Sequence, residues 1–262
     1  MPSLTRAHIL TALQSAIEPL PYTHAMWQGG AAAFNRVDEW SDVDLQIDVD
    51  DDRVAEACAV VDATLAEHRA GGPVALKFEL PQPTWHGHYQ AFYRFHNASE
   101  FLVLDFVVMK HSHPNKFLEP EIHGEKVVLF DKDHTLTVPP LDRTDWADKL
   151  KGRLASLRVT FELFRPFTEK ELQRGNAIEA VMCYHGLVLR PLVEVLRIRH
   201  APARYNFHSC YVYYDLPADT VRALEPLFFP RDADDVRAKQ AQAAQMFTEA
   251  LAGLDPATLG LP

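Results

Sequence analysis

The sequence predicts a mixed α/β domain followed by an all-helical one, and three observations predict it. Through Lys132, short strand-like runs alternate with two amphipathic helical stretches, the pattern of a sheet with helices on one face. Val138-Pro139-Pro140 then reads as a linker. After it strand signals disappear and apolar residues recur at three- and four-residue steps, as in a helical bundle. The boundary divides the chain into residues 1–138 and 139–262.

The first element is a helix from about Thr5 to Ile17, with Leu10, Leu13 and Ile17 at helical spacing and Ser3 or Thr5 as cap. Pro19-Leu20-Pro21 ends it. Tyr22 to Trp27 reads as a short strand leading into Gly29-Gly30, where the backbone is free to turn sharply and approach a ligand. Amides in such a turn can cradle phosphate oxygens. Val43 to Val49 is the next strand. Its period of two puts Asp42 and Asp44 on one face. Asp48, Asp50, Asp51 and Asp52 suit the start of the following helix, where Asp50 caps and acids complement the dipole. That helix runs from Val54 to His68 on a stripe of Val54, Cys58, Val61 and Leu65, and Gly71-Gly72-Pro73 stops it.

Val74 to Leu80 and Trp85 to His96 are strands separated by the turn Pro81–Thr84. Asn97–Glu100 turns into a third, Phe101 to Met109. Lys110 to Gly124 is a polar loop long enough for a lid. Lys126 to Lys132 supplies a last short strand and turn. In the second domain Asp142 or Thr144 caps a helix to about Phe164, built on Leu150, Leu154, Leu157, Phe161 and Phe164. Pro166 interrupts. The stretch Thr168 to His200 is helical, broken at Gly175 and Gly186 and kinked at Pro191. Pro217–Phe229 and Asp232–Leu254 complete a bundle.

Composition excludes several functions. A net charge of −10 and a pI of about 5.7 imply no general polyanion-binding surface, so no nucleic-acid partner is expected. The three cysteines, Cys58, Cys183 and Cys210, are far apart and read as reduced thiols of a cytoplasmic protein. No apolar run is long enough to span a bilayer and the N-terminus has no apolar signal core, so no membrane partner is expected.

The chemistry concentrates in acids. Asp42 and Asp44 repel each other on one strand face and become favourable when a divalent cation such as Mg²⁺ lies between them. Asp105 interrupts the apolar run Phe101–Met109, where a lone carboxylate is costly to bury without a partner. A cation held by Asp42 and Asp44 would be that partner. The pairs His86/His88 and His111/His113 have spacing compatible with zinc, but no thiol completes a tetrahedral set.

The run Trp27-Gln28-Gly29-Gly30, a spacer, then Ser41-Asp42-Val43-Asp44-Leu45 resembles the signature of the nucleotidyltransferase superfamily that includes DNA polymerase beta and the aminoglycoside nucleotidyltransferases. That signature is apolar–Gly–(Gly or Ser), a spacer, then Asp–apolar–(Asp or Glu)–apolar. Gly30 stands where serine is frequent, which leaves that phosphate contact to the backbone or to Ser41. The resemblance implies a third carboxylate on a neighbouring strand, for which Asp105 is the candidate. It also implies a short sheet with the Asp-x-Asp strand near its centre, closed by the 126–132 strand. More loosely, Arg190–His200, Pro202, Arg204–Phe207 and Tyr211–Pro217 resemble the C-terminal helical domain of the aminoglycoside enzymes. Together the two cover most of the chain.

Implied by the resemblance is transfer of a nucleoside monophosphate, AMP from ATP foremost, to a hydroxyl of a small-molecule, aminoglycoside-like acceptor. Two Mg²⁺ ions would be held by Asp42, Asp44 and Asp105, the nucleotide phosphates by Gly29, Gly30 and Ser41. The base would be Asp105 or Glu179, which lies on a helix of the second domain. Lys77, Arg174, Arg190, Arg197 and Arg204 are candidate phosphate cations, and Tyr205, Tyr211 and Tyr214 candidate stacking residues. The acidic charge suits a cationic acceptor. Two other readings stay open: a regulator that transfers AMP to a protein hydroxyl, and a catalytically inactive nucleotide- or partner-binding module. Monomer and homodimer are both open.

Overall fold

Along Val43–Val49 the odd residues Val43, Leu45, Ile47 and Val49 are fully buried, whereas Asp44 and Gln46 are half-buried. That alternation sets the architecture, because a strand shows successive side chains to opposite faces. The structure is a computed structural model, describing residues 4–66, 74–132, 134–138 and 141–255. It divides into two units, Met1–Pro140 and Leu141–Pro262.

In the first unit the order is α1 (Arg6–Ile17), β1 (Thr23–Gln28), α2 (Gly30–Ala33), β2 (Val43–Val49), α3 (Val54–Ala66), β3 (Val74–Glu79), β4 (Tyr89–Phe95), β5 (Leu104–Lys110), α4 (Pro120–His123) and β6 (Val127–Asp131). The strands form one six-stranded sheet in the order β3-β4-β5-β2-β1-β6. Its central pair, β2 and β5, is parallel, and the other pairings are antiparallel. Ile9, Leu13 and Ile17 of α1 and Ala57, Val61 and Leu65 of α3 pack on one face against the odd residues of β2 and Tyr93, Phe106 and Val108. Thr5 caps α1, its hydroxyl accepting from the His8 amide. The opposite face carries a smaller apolar cluster of Ala25, Trp27, Val107, Met109, Leu118 and Leu136. Asp44, Gln46, Gln90 and Asp105 are also on that face.

Three details depart from the sequence reading. The strand expected from Trp85 begins only at Tyr89, because residues 84–88 close a turn. There the Thr84 hydroxyl donates to the His88 carbonyl at 2.6 Å, and Gly87 takes φ +81°. Asp48, inside β2, and Asp51, after it, hold the segment that follows β5, and Asp50 turns to β1, so these acids do not cap α3. Asp48, fully buried, pairs with Lys116 and sits 3.2 Å from His111 Nδ1, and Asp51 accepts from the Ser112 amide and hydroxyl. Asp50 meets His24 Nε2 at 2.8 Å. The expected lid is therefore fastened at its start, and Leu118 within it is buried. The expected cap Ser3, the helix end at His68, the Gly71-Gly72-Pro73 stop and Pro139-Pro140 of the linker lie outside the described residues.

The second unit is helical: α5 (Arg143–Phe164), α6 (Pro166–Gln173), α7 (Ala177–Cys183), a π-helical turn (Tyr184–Leu189), α8 (Arg190–His200), α9 (Val212–Asp215), α10 (Ala218–Leu224) and α11 (Ala233–Leu251). Asp142 caps α5, accepting from the Thr144 and Asp145 amides, and Asp232 caps α11. Gly175, at φ +78°, separates α6 from α7. Between α7 and α8 the chain stays helical but widens into the π turn just before Pro191, which has no N–H to continue the ladder. Leu150, Leu154 and Phe161 of α5 pack with Tyr184, Val188, Leu192, Val195 and Phe247. The Phe161 and Phe247 rings stack at 3.7 Å. Among the described residues no helix is long and apolar enough to cross a membrane.

Candidate active site

Asp44 of β2 and Asp105 of β5 are direct partners in the parallel ladder. Neighbouring strands lie about 4.8 Å apart, and paired residues send their side chains to the same face. Two residues 61 positions apart in the chain are thereby brought side by side on the polar face. Asp42, immediately before β2, is exposed. It acts electrostatically on both Asp44 and Asp105, raising the pKa of each.

The glycine pair is built against this row. Gly29 donates its amide to the Asp44 carbonyl at 3.1 Å. Gly30 adopts φ +51°, and a Cβ there would lie 1.7 Å from Asp44 Oδ2. The Ala31 amide donates to the Asp44 carboxylate. Glycine at 30 is thus demanded twice, by the left-handed backbone and by the carboxylate lying on it. Beside Gly29, Gln46 Oε1 is buried without a hydrogen-bond partner.

Burial pushes the Asp44 carboxyl up to about 7, with Asp42 and Asp105 adding to it and Arg6 opposing it. Burial likewise raises Asp105, opposed first by a hydrogen bond: Gln90 Nε2 donates to Asp105 Oδ1 at 2.7 Å. Arg6, in the first turn of α1, is a cation close to Asp42 and Asp44. Its guanidinium donates to the Asp42 carbonyl, and to Gln28 Oε1 at 2.7 Å. Neither Arg6 nor Gln90 was legible in the sequence. Arg6 looks like any basic residue near a helix start, and Gln90 follows from the β4–β5 pairing alone.

The other expected residues are placed as follows. The Ser41 hydroxyl donates to Asp38 Oδ1 at 2.8 Å and accepts from the Asp38 amide, closing the turn before β2. Glu179 is exposed in the first turn of α7, in the second unit. Lys77 pairs with Asp62 and Glu79, Arg174 with Glu171, and both Arg197 and Arg204 with Asp215. Arg190 Nη2 lies 3.3 Å from His208 Nε2. Tyr205 packs edge-on to Trp146, Tyr211 lies near Phe207, and Tyr214 is exposed. Of the histidine pairs only the second separates: His111 lies against His24 and His113 meets His88, while His86 and His88 stay stacked together beside Phe117.

Carboxylate oxygens on a desolvated face are the donor set that a hard divalent cation prefers. The closely fitted Gly30 and the unpartnered Gln46 oxygen agree with a ligand approaching here. Among the described residues, however, no three His, Cys, Asp or Glu side chains stand as a ready metal-holding group. The acids fit the ion in kind and in placement on the sheet, without yet converging as ligands.

No protein-family model matches the chain, and no curated protein matches it. Among solved structures it is similar to an aminoglycoside 6-adenyltransferase from Bacillus subtilis, at 12% identity over 94% of this chain and 87% of that chain, with a TM-score of 0.36. A likeness that slight carries no argument about what this chain does.

Proposed function

We propose that the chain is a nucleotidyltransferase that moves AMP from ATP to a hydroxyl of a small cationic acceptor. The observation that carries this reading is the pairing of Asp44 with Asp105 in the parallel β2–β5 ladder, next to a glycine turn fitted against Asp44. Asp42, Asp44 and Asp105 would hold two Mg²⁺ ions, which when bound supply charge neutralisation to the phosphates. The chain's own residues do the rest. The Gly29–Gly30 turn, packed against Asp44, and Ser41, next to Asp42 in the chain, orient the triphosphate. Arg6 offsets carboxylate repulsion while the site is empty of nucleotide. The acceptor oxygen forms a bond to the α-phosphorus, the bond from that phosphorus to the bridging oxygen breaks, and pyrophosphate leaves. The hydroxyl proton passes to a carboxylate. Asp105 suits this step because burial raises its proton affinity. Glu179, exposed on α7, is the other candidate.

The net charge of −10 favours a cationic acceptor through electrostatic attraction. The test is calorimetry with ATP and Mg²⁺, paired with pyrophosphate release across aminoglycosides, uncharged polyols and protein hydroxyls. Saturable binding lost in Asp44→Ala, with release driven by a polyamine-bearing alcohol, is the expected result. Binding without release from any acceptor would leave a nucleotide-binding module, and no binding would end the proposal.

A further inference from the structure

Asp105 is the end of a chain of hydrogen bonds that starts in the turn before β4. The His88 amide donates to His86 Nδ1 at 3.1 Å. A ring nitrogen that accepts carries no proton, so in the neutral ring the proton is on Nε2. His86 Nε2 lies 3.0 Å from Gln90 Oε1 and donates to it. With its oxygen so engaged, the Gln90 amide turns its nitrogen to Asp105 Oδ1, 2.7 Å away. The reverse Gln90 orientation would set an N–H against an N–H and a carbonyl against a carboxylate, so each link fixes the next.

The start of the chain is itself held. The Thr84 hydroxyl donates to the His88 carbonyl at 2.6 Å and closes the turn. The His86 ring stacks on His88 at 5.4 Å and meets Phe117 edge-on at 6.1 Å. Gly87 packs so closely on His113 that a Cβ would lie 2.9 Å from Nε2 of that ring.

We propose that His86 and Gln90 are positioning residues for Asp105: the turn fixes the His86 tautomer, His86 fixes the Gln90 amide, and Gln90 holds one Asp105 oxygen so that the carboxylate keeps a single orientation on the polar face. This rests on the reading of Asp105 as a site carboxylate. A ligand or base whose orientation is set by a supporting hydrogen bond loses about 10–100-fold in affinity or activity when that support is removed.

Two measurements on the full chain test it. The first needs no nucleotide: ¹⁵N-histidine NMR at neutral pH. His86 is expected as the Nε2–H tautomer in the wild type and equally in Gln90→Met, because the His88 amide and not Gln90 sets it. An Nδ1–H ring, or a wild-type mixture, overturns the relay. The second compares wild type, Gln90→Met, His86→Phe and Asp44→Ala for Mg²⁺·ATP binding and pyrophosphate release. Gln90→Met is expected to lose about 10–100-fold in kcat, with the KM for ATP and the thermal midpoint little changed. His86→Phe is expected to fall between it and wild type, because Gln90 keeps its donor but loses its orientation. Wild-type kcat in Gln90→Met, while Asp44→Ala is inactive, overturns the relay and spares the nucleotidyl reading. A wild type indistinguishable from Asp44→Ala ends the nucleotidyl reading, and the NMR result then decides the relay alone.

Discussion

A methyl group on residue 30 would stand 1.7 Å from Oδ2 of Asp44, so the glycine and the carboxylate fit only in each other's company. Gly30→Ala meets two penalties, a left-handed φ of about 1–2 kcal/mol for a residue with a Cβ and displacement of Asp44. Gly30→Ser, the residue frequent in the superfamily signature, meets both as well. Both variants are expected to lose Mg²⁺·ATP binding in calorimetry and to melt earlier. Gly29→Ala should be milder, since its Cβ meets the flexible tip of Gln46 at 3.1 Å. Equal losses at the two positions would sink the argument.

Asp44 carries a charge cost at neutral pH that a proton or a cation relieves. Its folded carboxyl is raised to about 7, against about 3.9 in the unfolded chain. A raised folded pKa means the folded state holds the proton more tightly. The stability this contributes is full below about pH 4 and is lost as pH rises through 7. In EDTA, Asp44→Asn should therefore melt above wild type at pH 8, with the gap closing toward pH 4. Mg²⁺·ATP should raise wild type and not the variant. A pH-independent gap would show that the charge of Asp44 is not what destabilises the unliganded fold.

The alternation of β2 and the apolar run around Asp105 carried the central strands of the sheet and the acids on its polar face, because both signals are local. The helix starts near Thr5 and Asp142 were also legible, each with a second cap candidate, Ser3 and Thr144, whereas Asp232 did not stand out as a cap. What sequence could not show was pairing between distant segments. Asp48 looked like part of a helix start until β2–β5 pairing set it beside the 111–116 segment. Arg197 and Arg204 looked free to bind phosphate, yet Asp215 claims both. The β4 boundary is not local to the apolar pattern, because His86 and His88 sit in a turn closed by a side chain, Thr84, as well as by Gly87.

His88 should make the fold acid-sensitive in the opposite sense to Asp44. It is 2% exposed, and burial, with His113 and His86 adding to it, pushes its pKa down to about 4. A depressed folded pKa means the unfolded chain takes up the proton first. Stability is present above the unfolded value of about 6.5 and is lost as pH falls toward 4, by at most roughly 3 kcal/mol. Because the Asp44 effect runs the other way over the same range, wild-type melting alone hides both. The difference between wild type and His88→Leu isolates one. The variant should gain on wild type steadily from pH 6.5 to pH 4.5 in thermal melts. A constant difference over that range would mean His88 titrates as in water.

Lys116 is expected to matter more for stability than any surface pair. It meets Asp48, whose side chain is 0% exposed, while Lys116 itself is 12% exposed. Removing one partner of a buried pair strands the other charge, which typically costs about 3–5 kcal/mol. His111, at 3.2 Å, is exposed and offers Asp48 a weaker partner. Urea unfolding of Lys116→Met should therefore show a loss of that size, since the methionine keeps the apolar stem and removes the charge. Asp48→Leu combined with Lys116→Met removes both charges and should regain most of the loss, because desolvation of the acid no longer has to be offset. A double variant as weak as the single one would mean that the lost stability came from packing of the 111–118 segment and not from an abandoned carboxylate.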